Sequence, residues 1–251
     1  MSEGLDPRML LRGYAAGIFP MADSRAAGDI FWVEPRNRAI IPLDTFRLSR
    51  SLAKRVRSSK FTVTRDRAFH QVLLACADRE ETWINQVIER ATLGLHAVGH
   101  AHSIECWHDG ELVGGLYGVK LGRAFFGESM FSRMTDASKV ALAWLIARLR
   151  VGHFTLLDCQ FITPHLASLG AITVSRDRYV GLLSTALSAG AAGGAVTFGG
   201  GTVATGGAGF PDTALPPPEF EALDRLLDST GAAGAAGPSG QLIAQLLGHT
   251  S

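Results

Sequence analysis

Residues 99–145 read GHAHSIECWHDGELVGGLYGVKLGRAFFGESMFSRMTDASKVALAWL, and residues 156–161 read LLDCQF. The segments HSIECWH, ELVGGLYGVKLG and RAFFGES have the composition and length of strands. The first two meet at Asp109-Gly110, a dipeptide suited to a tight hairpin because both residues tolerate positive φ. MTDAS can cap a helix, after which Val140, Ala141, Trp144, Leu145 and Leu149 recur at helical spacing and predict a core stripe. LLDCQF then reads as a further strand. A three-stranded meander, a helix and a strand predict an α+β sheet of the kind found in N-acyltransferases. His102, Glu105, Glu128, Ser129, Asp158 and Gln160 stand among residues that would otherwise be ordinary core. Polar groups at strand ends beside a core are costly unless paired, so their clustering calls for a chemical reason.

Outward from this centre, DPRMLLRGYAAGIFP predicts a helix with Asp6 as N-cap and Pro7 at its first position, ended by Gly17 and Pro20. FWVEPRNRAIIPL supplies short extended segments and KFTVTRD a strand. AFHQVLLACAD predicts an amphipathic helix, and TWINQVIERATLGLHAVG another, ended at Gly99.

The 251 residues are 47% hydrophobic with a formal charge of +1, enough for a full core. No apolar run approaches a membrane span, and MSEGLDPRMLLRGYAAGIFP lacks a signal-peptide pattern, so a cytoplasmic protein without a membrane partner is expected. Cys76, Cys106 and Cys159 are odd in number and widely spaced, which argues against a disulfide frame or structural zinc. A strand through LLDCQF would put Asp158 and Gln160 on one face and Cys159 on the other, in the core.

Charge is uneven. Residues 190–251 carry five acids and one base, leaving 23 bases and 18 acids in the first 189. Within that body, RLSRSLAKRVRSSK at 47–60 holds Arg47, Arg50, Lys54, Arg55, Arg57 and Lys60 with no acid. It reads either as a solvated helix face or as a stripe for phosphates. From Gly190 to Gly209 the chain is nearly all small residues, and TGAAGAAGPSG at 230–240 repeats this, so flexible linkers are expected. Between and after them, PPPEFEALDRLLD suggests a proline-started helix and GQLIAQLLGHTS a second. The expected organisation is a small N-terminal region (1–40), a main domain (41–189) and a Gly/Ala-rich tail with short helices (190–251).

The strings GIFP, TWI, GHAHSIE, LVGGLYGV, FFGESMFSR, ASK and DCQ followed by SLGA, in this order and spacing, closely resemble the leucyl/phenylalanyl-tRNA–protein transferases over about residues 8–180. The resemblance implies a GNAT-like acyltransferase domain and an aminoacyltransferase that needs no added cofactor or metal. It would move leucine or phenylalanine, with methionine as a further donor, from aminoacyl-tRNA to acceptor proteins beginning with arginine or lysine, marking them for degradation by the bacterial N-degron pathway. It also implies Asp158 and Gln160 as the catalytic pair, the carboxylate orienting the amide so that Gln160 holds the attacking amine. Glu128 would bind the donor's α-ammonium group. Leu116, Leu142, Leu145, Leu149 and Leu157 would form the side-chain pocket, Trp83 would stack on the terminal adenosine, and the basic run would track the acceptor stem. The chain has Met21 where some members carry an aromatic, and Leu145 and Leu149 where others line the pocket with aromatics.

Two other classes stay open on the residues alone. An acetyl-CoA-dependent N-acetyltransferase would need a glycine-rich pyrophosphate loop after the meander, and SMFSRMTDASK has no glycine. A non-catalytic tRNA-binding protein would leave Asp158, Gln160 and Glu128 without purpose. His100 and His102 on alternate strand positions, with Glu105 nearby and no third and fourth ligand, are a weak metal signature.

Overall fold

The computed structural model describes residues 5–58, 60–188, 216–232 and 236–248. Helix α1 (Pro7–Ala15) starts as expected, with the Asp6 carboxylate accepting from the Arg8 N–H at 2.8 Å. A small two-stranded antiparallel sheet follows, β1 (Phe19–Met21) on β2 (Phe31–Val33). The next strand, β3 (Asn37–Ile41), joins a different and larger sheet. The boundary expected at residue 40 therefore falls inside a strand of that sheet.

Helix α2 (Arg50–Arg57) is capped by Ser49, whose hydroxyl accepts from the Leu52 N–H at 3.2 Å. Then come β4 (Thr62–Arg65), α3 (Phe69–Ala77) and α4 (Gln86–Ala97). Asn85 caps α4, so Trp83, expected inside the helix, lies just before it. The meander is β5 (Ala101–His108), β6 (Glu111–Leu121) and β7 (Ala124–Ser132). Its first turn has Asp109 at φ 51° and Gly110 at φ 81°, the positive values expected of that dipeptide in a tight hairpin.

Helix α5 (Ala137–Val151) crosses to β8 (Leu156–Gln160). Asp136 precedes α5 in a left-handed conformation and makes no side-chain cap. Its carboxylate instead meets Arg55 and Lys139, each at 3.3 Å. The remaining elements are α6 (Pro164–Ser168), β9 (Ile172–Ser175), α7 (Arg176–Ser188), α8 (Ala222–Ser229) and α9 (Ala236–Gly248).

The larger sheet runs β4-β5-β6-β7-β8-β3-β9, antiparallel throughout except for the β7–β8 pair that α5 connects. One core lies on its α5 side and a second on the side of α1, α3 and α4. Alternate strand residues divide between them: Leu116 faces α5 while Tyr117 faces α3.

The expected stripe on α5 is wider than the sequence suggested, since most of the helix surface is buried. Its outer side is covered by Phe220, just before α8, and by Leu223, Ile243 and Leu247 from the C-terminal helices, all buried. Even Arg148 is buried, its guanidinium hydrogen-bonded to Asp224 and to the Phe220 carbonyl. The linker expected at 190–209 lies outside the described residues. Within 230–240, residues 236–240 are helical and open α9, against the linker reading. The prolines at 216–218 precede α8 rather than start it, and the Pro216 carbonyl accepts from Arg123 at 2.6 Å. These segments are apolar on one face and α5 offers them a partner, which short-range composition does not reveal.

Candidate active site

Strands β7 and β8 pair at only three positions, Ala124↔Leu156, Phe125↔Leu157 and Phe126↔Asp158, and then part. Each is bulged where it leaves its neighbour. Tyr117↔Ser129 followed by Gly118↔Gly127 leaves Glu128 as the extra residue on β7, and Ala39↔Gln160 followed by Ile40↔Asp158 leaves Cys159 extra on β8. Bulges break the two-residue alternation and re-aim side chains. Here they turn Glu128 and Gln160 toward each other across the gap, and the Gln160 amide donates to Glu128 Oε1 at 3.0 Å.

Gln160 adopts φ 62°, a left-handed conformation that costs a side-chain-bearing residue about 1–2 kcal/mol. Asp158 holds it there: Oδ1 accepts from the Gln160 backbone N–H at 2.8 Å. This corrects the expected arrangement. Asp158 orients the backbone of Gln160, while Glu128 orients its amide.

Asp158 is fully buried, and its charge is met by Arg38, which is 1% exposed. Arg38 Nε lies 3.0 Å from both carboxylate oxygens and Nη2 lies 2.6 Å from Oδ2. The Tyr179 hydroxyl donates to Oδ2 at 2.8 Å. The guanidinium is held between the rings of Phe19 and Tyr179, 4.6 Å from each centroid, and Nη1 donates to the Gly17 carbonyl at 3.1 Å. Burial disfavours the Arg38 charge, but the hydrogen bonds and charge of Asp158 outweigh it and raise its pKa.

Glu128 has no such cation in contact. Burial, despite hydrogen bonds from Tyr14 and Gln160, and with repulsion from Asp158, pushes its carboxyl up to about 7. Burial and then the Asp158 charge also raise the Cys159 thiol, so it stays protonated and is no nucleophile. Cys159 is half-buried: it packs against the α5-side core, as expected, and also borders the opening.

The gap between the strands opens into a cleft of about 750 Å³ that reaches both sides of the sheet. Leu116, Leu142, Leu145 and Leu157 line it from the α5 side, and Trp83, Tyr117 and Phe131 from the other. Glu128 and Gln160 stand between. Asp158 lies beneath rather than on the wall. Leu149 is 0% exposed and packs behind the cleft, which corrects its expected place among the lining leucines. At the rim, Arg79 donates to Ser129 Oγ at 3.3 Å and to the Met130 carbonyl. Trp83 is half-buried, and its carbonyl accepts from the Ala22 N–H at 3.1 Å.

The group first read together divides. His102 and Glu105 lie away from the cleft: His102 Nδ1 is 2.7 Å from Asp66 Oδ2, and Glu105 accepts from Thr64 at 2.5 Å and from Ser103. Among the described residues no group of His, Cys, Asp and Glu is arranged for a metal, and no helix is long and apolar enough to cross a membrane.

The basic run centres on α2, with Arg47 before the helix and Lys60 after it, and lies outside the cleft wall. Arg47, Arg50, Lys54 and Arg57 are exposed. Arg55 pairs with Asp136, and Lys60 lies 5.5 Å over the Phe61 ring. Asp136 also holds Lys139, whose charge, after burial, lowers the pKa of His165 in the cleft wall.

A family model described as leucyl/phenylalanyl-tRNA protein transferase matches residues 40–184, and one described as its N-terminal domain matches residues 3–36. This chain belongs to that family. The leucyl/phenylalanyl-tRNA–protein transferase of Rhizorhabdus wittichii is 60% identical over 99% of this chain and 100% of its own. That of Novosphingobium aromaticivorans is 51% identical over 99% and 98%. Among solved structures, L-PGS from Bacillus licheniformis aligns over 66% of this chain and 56% of its own at 15% identity, with a TM-score of 0.37, too slight a likeness to carry an argument.

The sequence reading missed Arg38, Tyr14 and Tyr179. One signal for Arg38 was present: a cation within NRAII, followed by three apolar residues, needs a buried partner.

Proposed function

We propose that this chain transfers leucine or phenylalanine from aminoacyl-tRNA to the N-terminal arginine or lysine of acceptor proteins, as the names of its relatives and the chemistry of the cleft together support. The observation that carries the reading is the Gln160–Glu128 hydrogen bond, suspended between diverging strands and fixed from below by the Arg38–Asp158 pair. The parting of two parallel-paired strands beside a reaction cleft also supports a GNAT-like main domain. The organisation we propose keeps the three parts expected as 1–40, 41–189 and 190–251 but shifts the first boundary to before β3, with α8 and α9 packed on the main domain.

The donor is an ester already reactive toward amines, so the enzyme supplies position and charge rather than a covalent nucleophile. With its Nε2 committed to Glu128, Gln160 presents Oε1, which accepts a hydrogen bond from the attacking α-amine. The nitrogen forms the new C–N bond as the ester C–O bond breaks, the amine releases a proton and the departing ribose oxygen gains one. Glu128 pairs with the donor's α-ammonium group, and that cation favours its ionised form. Leu116, Leu142, Leu145 and Leu157 receive the donor side chain, and Trp83 receives the terminal base, a stack worth about 1–3 kcal/mol. Arg47, Arg50, Lys54, Arg55, Arg57 and Lys60 supply the tRNA-facing charge, with Arg55 also tied to Asp136. The reaction proceeds in the cytoplasm, where charged tRNA is available.

The test is transfer of radiolabelled leucine from Leu-tRNA to a protein with N-terminal arginine, by wild type and by Gln160→Ala. Incorporation that disappears in a folded variant supports the reading. Wild type that binds Leu-tRNA but transfers nothing would overturn it in favour of a non-catalytic tRNA-binding protein.

A further inference from the structure

Tyr117 is 1% exposed, yet its hydroxyl has no hydrogen-bond partner among the described residues. Buried hydroxyls are ordinarily paired, because leaving one unmade forfeits its interaction with water without replacement. The other polar residues around the gap follow that rule. Gln160 reaches Glu128, Asp158 reaches Arg38 and Tyr179, and Arg79 reaches Ser129 and Met130.

The position is a built one. Tyr117 lines the cleft and stands opposite Ser129, the ladder partner next to the bulge that displays Glu128. Its ring is fixed edge-on to Phe69 at 6.0 Å. Burial, then the negative charge of Glu128, raise its pKa well above the usual tyrosine value. The group is therefore a neutral O–H at any physiological pH, able to donate. Within the cleft it lies on the Trp83 side of the sheet, opposite the four leucines, and beside the carboxylate between them.

We propose that the Tyr117 hydroxyl binds an oxygen of the donor's esterified ribose. This rests on the reading of the cleft as the aminoacyl-tRNA site. A base on Trp83 and a side chain among the leucines leave the sugar and its ester between them, beside Glu128 and within reach of an otherwise unpaired donor. The ribose 2′-oxygen and the ester carbonyl oxygen share this acceptor chemistry.

Tyr117→Phe removes the hydroxyl and keeps the ring. The transition temperature should stay unchanged or rise, since an unpaired buried polar atom is lost. Transfer from Leu-tRNA should fall about 3- to 10-fold in kcat/KM, and an amide-linked aminoacyl-nucleoside should bind correspondingly less tightly. Donor ending in 2′-deoxyadenosine separates the two oxygens. If wild type loses activity on it and Tyr117→Phe loses no more, the partner is the 2′-oxygen; if the two losses multiply, the partner is the ester. Active wild type with an equally active and equally tight-binding Tyr117→Phe overturns this inference alone. Wild type inactive with ordinary Leu-tRNA overturns the donor-site reading beneath it.

Discussion

Arg38 and Asp158, 120 positions apart in the chain, form one buried ion pair in which Arg38 Nη2 approaches Asp158 Oδ2 to 2.6 Å. The carboxylate's remaining contacts go to Tyr179 and to the Gln160 backbone. The pair thus sets the conformation of Gln160 without touching the cleft. Arg38→Ala should destabilise the fold by about 3–5 kcal/mol, because it strands a buried carboxylate. Arg38→Lys should not restore transfer, since an ammonium cannot bridge both oxygens and lie between two rings. Urea denaturation and transfer rate check the two halves.

Gln160→Ala and Gln160→Gly both remove the amide and should both lose transfer. They differ in the backbone: at φ 62° glycine is unstrained and alanine is not. Gln160→Gly should therefore be more stable than Gln160→Ala by about 1 kcal/mol. Equal stability would show that the position bears no strain.

The Glu128 carboxyl, displaced from 4.5 in a free chain to about 7, binds its proton more tightly when folded. Its contribution to stability is then largest at pH below 4.5 and falls as pH rises to 7, by about 3 kcal/mol. Glu128→Gln should lack that fall. Comparing wild type and variant by denaturation at pH 5 and pH 8 isolates this carboxyl from the other titrating groups.

On the proposed pairing of Glu128 with the donor's α-ammonium group, the same ionisation sets donor binding. An aminoacyl-nucleoside carrying a free α-amine, with pKa near 8, should bind most tightly between about pH 7 and 8, where Glu128 is charged and the amine still protonated. Glu128→Gln should lose the acidic limb of the profile and leave the alkaline one.

Leu145 and Leu149 lie one helical turn apart on α5, but only Leu145 meets the cleft. Leu145→Ala should enlarge the pocket and raise use of phenylalanine relative to leucine. Leu149→Ala should cost about 2–5 kcal/mol of stability and leave donor preference unchanged. Competition between the two charged tRNAs reads the difference.

Charge reversal at Arg50, Lys54 and Arg57 should weaken Leu-tRNA binding and reduce its dependence on salt by about one logarithmic unit of slope for each phosphate that is no longer neutralised. Stability should hardly change, because these side chains are exposed.

The sequence makes the meander, its Asp109-Gly110 turn and the Asp6 cap legible because each depends on neighbours along the chain. The resemblance also singled out Glu128 and Gln160, which the bulges turn to face each other. What stayed hidden depends on distant contacts. Strict alternation placed Asp158 and Gln160 on one face, but the extra residue at Cys159 gives them different tasks. Arg38 drew no notice in the sequence, because Asp158 and the two aromatic rings that close on it are distant along the chain. Leu149 fits the same helical stripe as Leu145, and only the tertiary packing around α5 separates core from cleft. The apolar faces of α8 and α9 had no visible partner because α5, on which they pack, lies far away in the sequence.

The cleft's passage through the sheet makes the site heritable in two parts. Its leucine wall belongs to the packing around α5, and its Trp83 and Tyr117 wall to the packing around α3 and α4. Side chains that do not touch combine their effects nearly independently. On the proposed assignment of the two walls, substitutions that alter which amino acid is accepted can therefore accumulate on one side while the grip on the nucleoside, common to every charged tRNA, stays as it was.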